Sequence, residues 1–281
     1  SDGSEALEAL ASEEKAFANW LKRNVKPHKL PGYAVVVLSL KKPGEAPGDV
    51  SAEQFDALAD LADRYSFGEL RVTHMQNLVL ADVKQSDLVE LWYAASEQGL
   101  ATPNIGLLTD VICCPGSDFC NLANARSIPL ATAVSNRFES IDFQHDIGDI
   151  ELNISGCINA CGHHHVGHIG ILGVDKNGED RYQVSIGGQQ GNGLRLGKVI
   201  GSSFSAAETP EVIASLLDLY VQERHEDERF VDTVQRLGVQ PFKEHVYKTA
   251  TAVALGLADD AALHEEAVVA SYDDPYYSRR F

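Results

Sequence analysis

The sequence predicts an α+β protein, with a ferredoxin-like βαββαβ module followed by an α/β module built on two cysteine-bearing loops. Three features carry that expectation. Over residues 33–113, β-branched runs and amphipathic helical stretches alternate in the order β-α-β-β-α-β. All five cysteines, Cys113, Cys114, Cys120, Cys157 and Cys161, then fall within one Gly-, Pro- and Asn-rich region. A strand pair and a run of helical spacing follow. A chain of 281 residues has room for one large or two ordinary domains. The segments read as an N-terminal helix and lead-in (1–29), the ferredoxin-like module (30–105), the cysteine-loop module (106–250) and a helical tail (251–281).

Residues 4–25 have helical spacing, acidic early and basic late, which suits the helix dipole. Pro27 and Pro31-Gly32 end that stretch. The β-branched run at 33–40 predicts a buried strand. Ser51 is placed to cap a helix to Tyr65, with Phe55, Leu58, Leu61 and Ala62 on one face. Residues 69–75 and 77–83 read as two strands joined at 74–77. A second helix at 86–98 turns Leu88, Leu91, Trp92 and Ala95 inward and stops at Gly99. A closing strand is expected at 106–113. Beyond it, 118–138 reads as a helix interrupted at Pro129, and 150–154 as a strand. Residues 166–174 and 182–186 read as strands around a turn tipped by Asn177-Gly178. Thr209-Pro210 opens a helix to about His225. Helical stretches follow at 226–237 and beyond Pro241, and 259–281 is an acidic, then aromatic tail.

The formal charge is −18. Sequence-independent nucleic-acid binding and docking on anionic lipid both need basic surface, so both are excluded as bulk properties. The N-terminus shows no apolar signal region, and no apolar run reaches membrane-spanning length. Clustered cysteines in that setting point to metal binding in a reducing compartment rather than to a disulfide framework. A cytoplasmic metalloprotein is the expectation.

Four cysteines form two pairs, Cys114-x5-Cys120 and Cys157-x3-Cys161. Paired zinc ligands are usually two to four residues apart, so the x5 interval is wide for zinc, while x3 fits. The compact bacterial ferredoxin run and a C-x-x-C dithiol are both absent. An iron–sulfur cube held by one pair from each loop is favoured, with zinc left as the alternative. Cys113 reads as a small buried apolar residue. The histidines at 163, 164, 165 and 168 point in too many directions to build a separate metal site. They are better suited to core bonding or to an anionic cofactor. The glycine-dense run 187–201, with Arg195 and Lys198, matches neither nucleotide-binding pattern. It suits close backbone approach to a flat ligand.

The segments C-P-G-S-D-F-C with N-L-A-N-A-R, N-I-S-G-C-I-N-A-C-G-H-H-H, and R-V-T-H-M-Q-N-L-V-L-A at 71–81 together resemble the hemoprotein of assimilatory sulfite and nitrite reductases. The resemblance runs from about Leu30 to Tyr247. It implies a 4Fe–4S cluster coupled to siroheme, a carboxylate-rich iron tetrapyrrole, so that 106–250 would be the 4Fe–4S/siroheme-binding domain. It implies cluster ligation by Cys114, Cys120, Cys157 and Cys161, with Cys161 bridging to the siroheme iron. By position, Gln76, Asn77, Arg126, Asn153, Asn159 and His164 would border the cofactors, and Arg126 has the chemistry to fork onto a carboxylate.

The resemblance further implies six-electron reduction of a small oxyanion, sulfite to sulfide or nitrite to ammonia, with sulfite preferred. The electron donor would be a flavoprotein or a ferredoxin. Family members carry two pseudo-repeated halves, and these cysteines mark this sequence as the second. The basic residues that grip the oxyanion come mainly from the first half, so weak or no turnover is expected of this chain alone. A reading of another class is a non-catalytic iron–sulfur electron carrier or a zinc-stabilised module.

Overall fold

The computed structural model describes residues 4–254. The expected first helix is two helices, α1 (Ser4–Glu13) and α2 (Lys15–Asn24), because Glu14 between them is extended, with φ −119° and ψ 99°. From α2, Phe17 and Trp20 enter the core with no exposed surface. The chain then runs straight into a strand that sequence spacing did not suggest, β1 (Val25–Pro27). Pro27 is tolerated there because β1 is an edge strand, where a missing N–H breaks no interior ladder.

β1 pairs antiparallel with β2 (Tyr33–Leu38), and the sheet is completed by β3 (Arg71–Val72) and β4 (Leu78–Lys84) in the order β1-β2-β4-β3. The helix α3 (Ala52–Tyr65) begins with the expected cap. Gln54 N–H donates to Ser51 Oγ at 3.2 Å, and Ser51 N–H donates to Gln54 Oε1 at 3.0 Å. Leu58, Leu61 and Ala62 are buried, whereas Phe55, expected on the same face, is exposed. The helix α4 (Leu88–Glu97) buries Leu88, Leu91, Trp92 and Ala95 as expected. Together α2, α3 and α4 enclose one core with the buried residues of β2 and β4.

The closing strand expected at 106–113 shortens to β5 (Ile112–Cys113) and joins the second sheet instead. The residues before it turn under side-chain control. Asn104 donates to Lys41 O and to Thr109 Oγ1, and Asp110 accepts from Gly106 N–H. β1 supplies the fourth strand of the first sheet.

The second sheet follows the order β5-β6-β7-β8-β9, with β6 (Leu152–Ser155), β7 (Ile169–Lys176), β8 (Glu179–Ile186) and β9 (Lys198–Val199). β5, β6 and β7 are parallel, and the last two strands are antiparallel to their neighbours. The β7–β8 turn has Asn177 and Gly178 at φ 60° and 80°, the two positive angles of a two-residue hairpin that the Asn-Gly pair predicted.

Between β5 and β6 lie α5 (Ile128–Arg137) and α6 (Ile141–Ile147). Pro129 does not interrupt a long helix: it lies in the first turn of α5, where its missing N–H costs nothing, and residues 119–127 are loop. The unpredicted α6 is capped by Ser140, which accepts from Phe143 N–H. Three C-terminal helices, α7 (Glu208–Glu223), α8 (Phe230–Leu237) and α9 (Val239–Ala254), close the second core with Ile213, Leu216, Phe230 and Phe242. α9 starts two residues ahead of Pro241. The acidic–aromatic tail expected at 259–281 lies outside the described residues. Among the described residues no helix is long and apolar enough to cross a membrane.

A buried polar seam joins the two sheets. Lys41 Nζ donates to Met75 O at 2.8 Å and to Asp110 Oδ1 at 3.3 Å. Asn77 Nδ2 donates to the same carboxylate oxygen at 2.8 Å. Lys41 and Asp110 are 2% and 4% exposed, so this ion pair is cut off from water. The seam ends one strand away from the cysteines.

Candidate metal centre

The cysteine loops meet because of strand direction. β5 and β6 are adjacent and parallel, with Cys113 opposite Ile154, so the loops that leave their C-terminal ends emerge at the same edge of the sheet. Crevices beyond the carboxyl ends of parallel strands are where α/β sheets hold ligands. Cys114 N–H extends the ladder by donating to Ile154 O at 3.1 Å. The first loop then folds over the second: Asn124 and Ala125 N–H both donate to Gly156 O, at 2.8 and 3.1 Å. Gly156 N–H donates in turn to Cys114 Sγ at 3.0 Å.

That crossing requires glycine. A Cβ on Gly156 would stand 2.7 Å from Ala125 O and 3.0 Å from Gly116 Cα. Gly116, itself at φ 64°, would likewise drive a Cβ into the backbone of Ser127. The second loop is two tight turns in succession, Ala160 N–H to Cys157 O and His163 N–H to Ala160 O. Both turns use a non-glycine residue in the left-handed region, Ala160 at φ 56° and His163 at φ 54°. Such angles cost about 1 kcal/mol or more each, and they bracket Cys161. Gly162 N–H is held by Ser155 Oγ at 3.1 Å.

Exposure grades the thiols. Cys114 and Cys157 are buried, Cys120 is half-buried and Cys161 is exposed. Three large apolar side chains on the same two loops, Phe119, Leu122 and Ile158, are more than 70% exposed. Apolar side chains facing outward beside an exposed thiol suit contact with a flat apolar ligand. Cys113 is different: burial, and secondarily the neighbouring Cys114, push its thiol far above the ordinary range, and it donates to Cys114 O.

The remaining candidates divide in two. Gln76 does not face the cysteine side chains. Its amide grips the backbone of Cys113 at both ends, accepting from Cys113 N–H at 2.9 Å and donating to Cys113 O at 2.7 Å. Asn77 is likewise committed, accepting from Leu40 N–H and donating to Asp110. Both belong to the frame that aims β5. Asn159 and Arg126 lie exposed on the cysteine loops. Arg126 donates to Asp180 through its backbone N–H and Nε, at 3.1 and 3.2 Å.

Asn153, on β6, and His164, in the turn after the second loop, are both buried, and Asn153 Nδ2 donates to His163 O. Asn153 Oδ1 and His164 Nδ1 have no partner, although both are sealed from water. Burial, and then the adjacent His165, lower the His164 pKa to about 4, so the ring is neutral at ordinary pH. Two orphaned buried polar atoms are positions a bound group can satisfy.

Sequence reasoning missed three supporting residues. Tyr182 OH donates to Arg126 O at 2.7 Å, and Asp180 holds Arg126 from the same hairpin, so β8 clamps the end of the first loop. Ser127 packs where the loops cross. A serine ahead of an apolar run reads as a helix cap, and nothing in the sequence distinguishes it from one.

Among the described residues no three His, Cys, Asp or Glu side chains converge closely enough to hold a single metal ion. Tetrahedral zinc needs its ligands about 2.0–2.3 Å from one centre. An iron–sulfur cube instead keeps its thiolates a cluster's width apart, bound to separate irons. Two interlocked loops, each with a cysteine pair, carry the thiol donor set that iron–sulfur clusters use.

Comparison with known proteins follows the same division of the chain. Residues 107–253 match the family described as nitrite and sulphite reductase 4Fe-4S domain, and residues 33–97 match the nitrite/sulfite reductase ferredoxin-like half domain. The chain is 29% identical over 227 residues to the chloroplastic ferredoxin–nitrite reductase of Spinacia oleracea, covering 76% of this chain and 36% of that protein. It is 31% identical over 175 residues to the sulfite reductase [NADPH] hemoprotein beta-component of Yersinia pestis, covering 61% and 30%. The chain therefore spans about a third of the length of these relatives. Among solved structures, the NirA protein of Mycobacterium tuberculosis superposes with a TM-score of 0.65 at 26% identity, over 80% of this chain and 41% of that one. Dissimilatory sulfite reductase I shares the fold, at a TM-score of 0.63 and 12% identity, over 98% of this chain and 89% of that one.

Proposed function

This chain belongs to the nitrite and sulphite reductase family, and from that premise we propose that it is the cluster- and siroheme-carrying part of a sulfite reductase. The reaction is the six-electron reduction of sulfite to sulfide in sulfur assimilation. The observation that carries this reading is the meeting of two cysteine loops at the ends of adjacent parallel strands, two thiols buried and one exposed.

Cys114, Cys120, Cys157 and Cys161 would hold the 4Fe–4S cluster, and the exposed Cys161 would also be the ligand shared with siroheme. When bound, the two centres would supply the electrons for reducing a small oxyanion. The chain's own residues make that possible by position. The buried thiols anchor the cluster against the sheet, and Phe119, Leu122 and Ile158 keep water from the apolar contact. Arg126 and Asn159 stand exposed on the loops, and the Arg126 guanidinium nitrogens not bonded to Asp180 would be available to carboxylates of the tetrapyrrole. Asn153 and His164 would offer their unpaired buried atoms to the bound group. The domain division follows the two sheets, with the cofactors on the second.

The electrons come from a flavoprotein or a ferredoxin, and the protein works in the cytoplasm. Residues that grip the oxyanion belong to the first half of the reductase, in the same polypeptide or in a separate chain. This chain alone is thus expected to give weak or no turnover. Nitrite reduction to ammonia is the second reading, favoured by the longer match to the nitrite reductase, 227 residues against 175.

Iron, acid-labile sulfide and siroheme quantitation on anaerobically prepared protein tests the assignment, together with Cys161→Ser. The cluster and the visible siroheme bands are expected in the parent protein, and Cys161→Ser is expected to uncouple their spectra. Zinc without iron would leave a zinc-stabilised module, and a cluster without siroheme bands would leave an electron carrier. Sulfite and nitrite assayed side by side with a chemical reductant, with the first half of the reductase present, decide the substrate.

A further inference from the structure

We propose that Ser127 is a positioning residue that tunes the cluster by donating a hydrogen bond to the Cys114 sulfur. Ser127 is fully buried, and its Oγ lies 3.5 Å from Cys114 Sγ. It occupies the N-cap of α5, a position where serine normally accepts a bond from the helix and where that bond contributes about 1 kcal/mol. Here the side chain makes no cap bond. Its hydroxyl is turned instead into the crossing of the two cysteine loops. A Cβ on either Gly116 or Gly156 would come within 2.9 Å of that oxygen, so both glycines leave room for it.

Chemistry fixes the direction of the bond. A free Cys114 thiol could donate or accept. A sulfur bound to iron carries no proton, so the serine hydroxyl must donate. Cys114 then receives two hydrogen bonds, from Ser127 O–H and from Gly156 N–H at 3.0 Å. Among the described residues none reaches the sulfurs of Cys120, Cys157 or Cys161, so the polar stabilisation falls on one corner. A donor aimed at a thiolate favours the form with more negative charge. It therefore raises the potential at which the cluster accepts an electron. This inference rests on the assignment of Cys114 as a cluster ligand.

The test is redox titration of Ser127→Ala beside the parent protein, both anaerobically prepared, with iron and sulfide measured in each. Proton ENDOR on the reduced cluster is recorded before and after exchange into D2O. The expected result is an unchanged iron and sulfide content, a midpoint potential shifted to more negative values and the loss of one exchangeable proton coupling. A variant with full iron and sulfide whose potential and exchangeable couplings match the parent overturns the proposal. If Ser127→Ala assembles no cluster, ENDOR of the parent decides: two exchangeable protons near one cysteine sulfur support the bond, and one overturns it. Parent protein that contains no iron and sulfide at all would instead sink the cluster assignment, a failure distinct from that of the serine.

Discussion

Replacing Lys41 with Met removes the ammonium from the seam between the sheets and leaves its partner behind. Asp110 would keep only Asn77 Nδ2 at 2.8 Å and Gly106 N–H at 3.0 Å as donors, at 4% exposure. Met75 O would lose the donor it now has at 2.8 Å. Removing one partner of a buried ion pair typically costs about 3–5 kcal/mol, because the surviving charge is neither paired nor hydrated. At roughly 2–4 °C per kcal/mol for a chain of this size, the melting temperature should fall by about 6–20 °C. Lys41→Met/Asp110→Asn removes both charges and should recover part of that loss, with a coupling of about 0.5–3 kcal/mol in the double-mutant cycle. The pH dependence has a definite sign. Burial lowers the Lys41 pKa below 10.5, against the opposing pull of Asp110. Between the folded value and 10.5 the unfolded chain binds a proton that the folded protein does not, so stability relative to Lys41→Met should rise with pH in that window. Chemical denaturation of the apoprotein from neutral pH to pH 10 measures both quantities. A loss under about 1 kcal/mol, or a stability difference that falls with rising pH, would refute the claim that this charge is buried.

Three further outcomes follow from the same geometry. Gly156→Ala puts a methyl group 2.7 Å from Ala125 O and should destabilise the fold by about 1–3 kcal/mol while lowering iron content, read by denaturation and metal analysis. Gln76→Ala leaves Cys113 N–H and C=O without their side-chain partner and should cost about 2–3 kcal/mol, with cluster retention reduced and any siroheme bands unshifted in wavelength. For His164, burial lowers the pKa to about 4, so its contribution is complete above about pH 6.5 and is lost as pH falls toward 4. Apoprotein should thus lose on the order of 1–3 kcal/mol over that window relative to His164→Gln, and parallel pH curves for the two proteins would count against it.

The elements that sequence disclosed were those whose local signals and packing agree. Ser51 and Gln54 form the capping box, Asn177-Gly178 makes the hairpin, and Leu88, Leu91, Trp92 and Ala95 face inward, each by a rule that acts within a few residues. The errors came where distant contacts decide. Val25–Pro27 has no strand signal of its own and becomes one because Val35 and its neighbours offer an open edge. The stretch 106–113 is apolar enough for a strand, yet Asn104, Thr109 and Asp110 bend most of it into turns. At Pro129 the sequence is ambiguous, because a proline within a helical pattern and one at its start look alike until the loop before it is seen.

The site divides in the same way, and the division has a physical cause. Cysteine spacing made the two loops visible, since few side chains bind metals and four in two pairs stand out. What brings the loops together is the parallel pairing of β5 with β6, which no spacing encodes. The residues beside them take roles that their types do not announce. Gln76 and Asn77 have amides equally suited to a cofactor or to backbone, and the register of Cys113 and the carboxylate of Asp110 claim them first. Ser127 carries a hydroxyl that a helix N-terminus would ordinarily use, and the sulfur of Cys114, just past the end of β5, is its partner instead. A polar side chain in a loop is thus assigned by whichever buried partner lies nearest in space. The ligands of such a centre can be read from sequence long before the groups that hold and tune them.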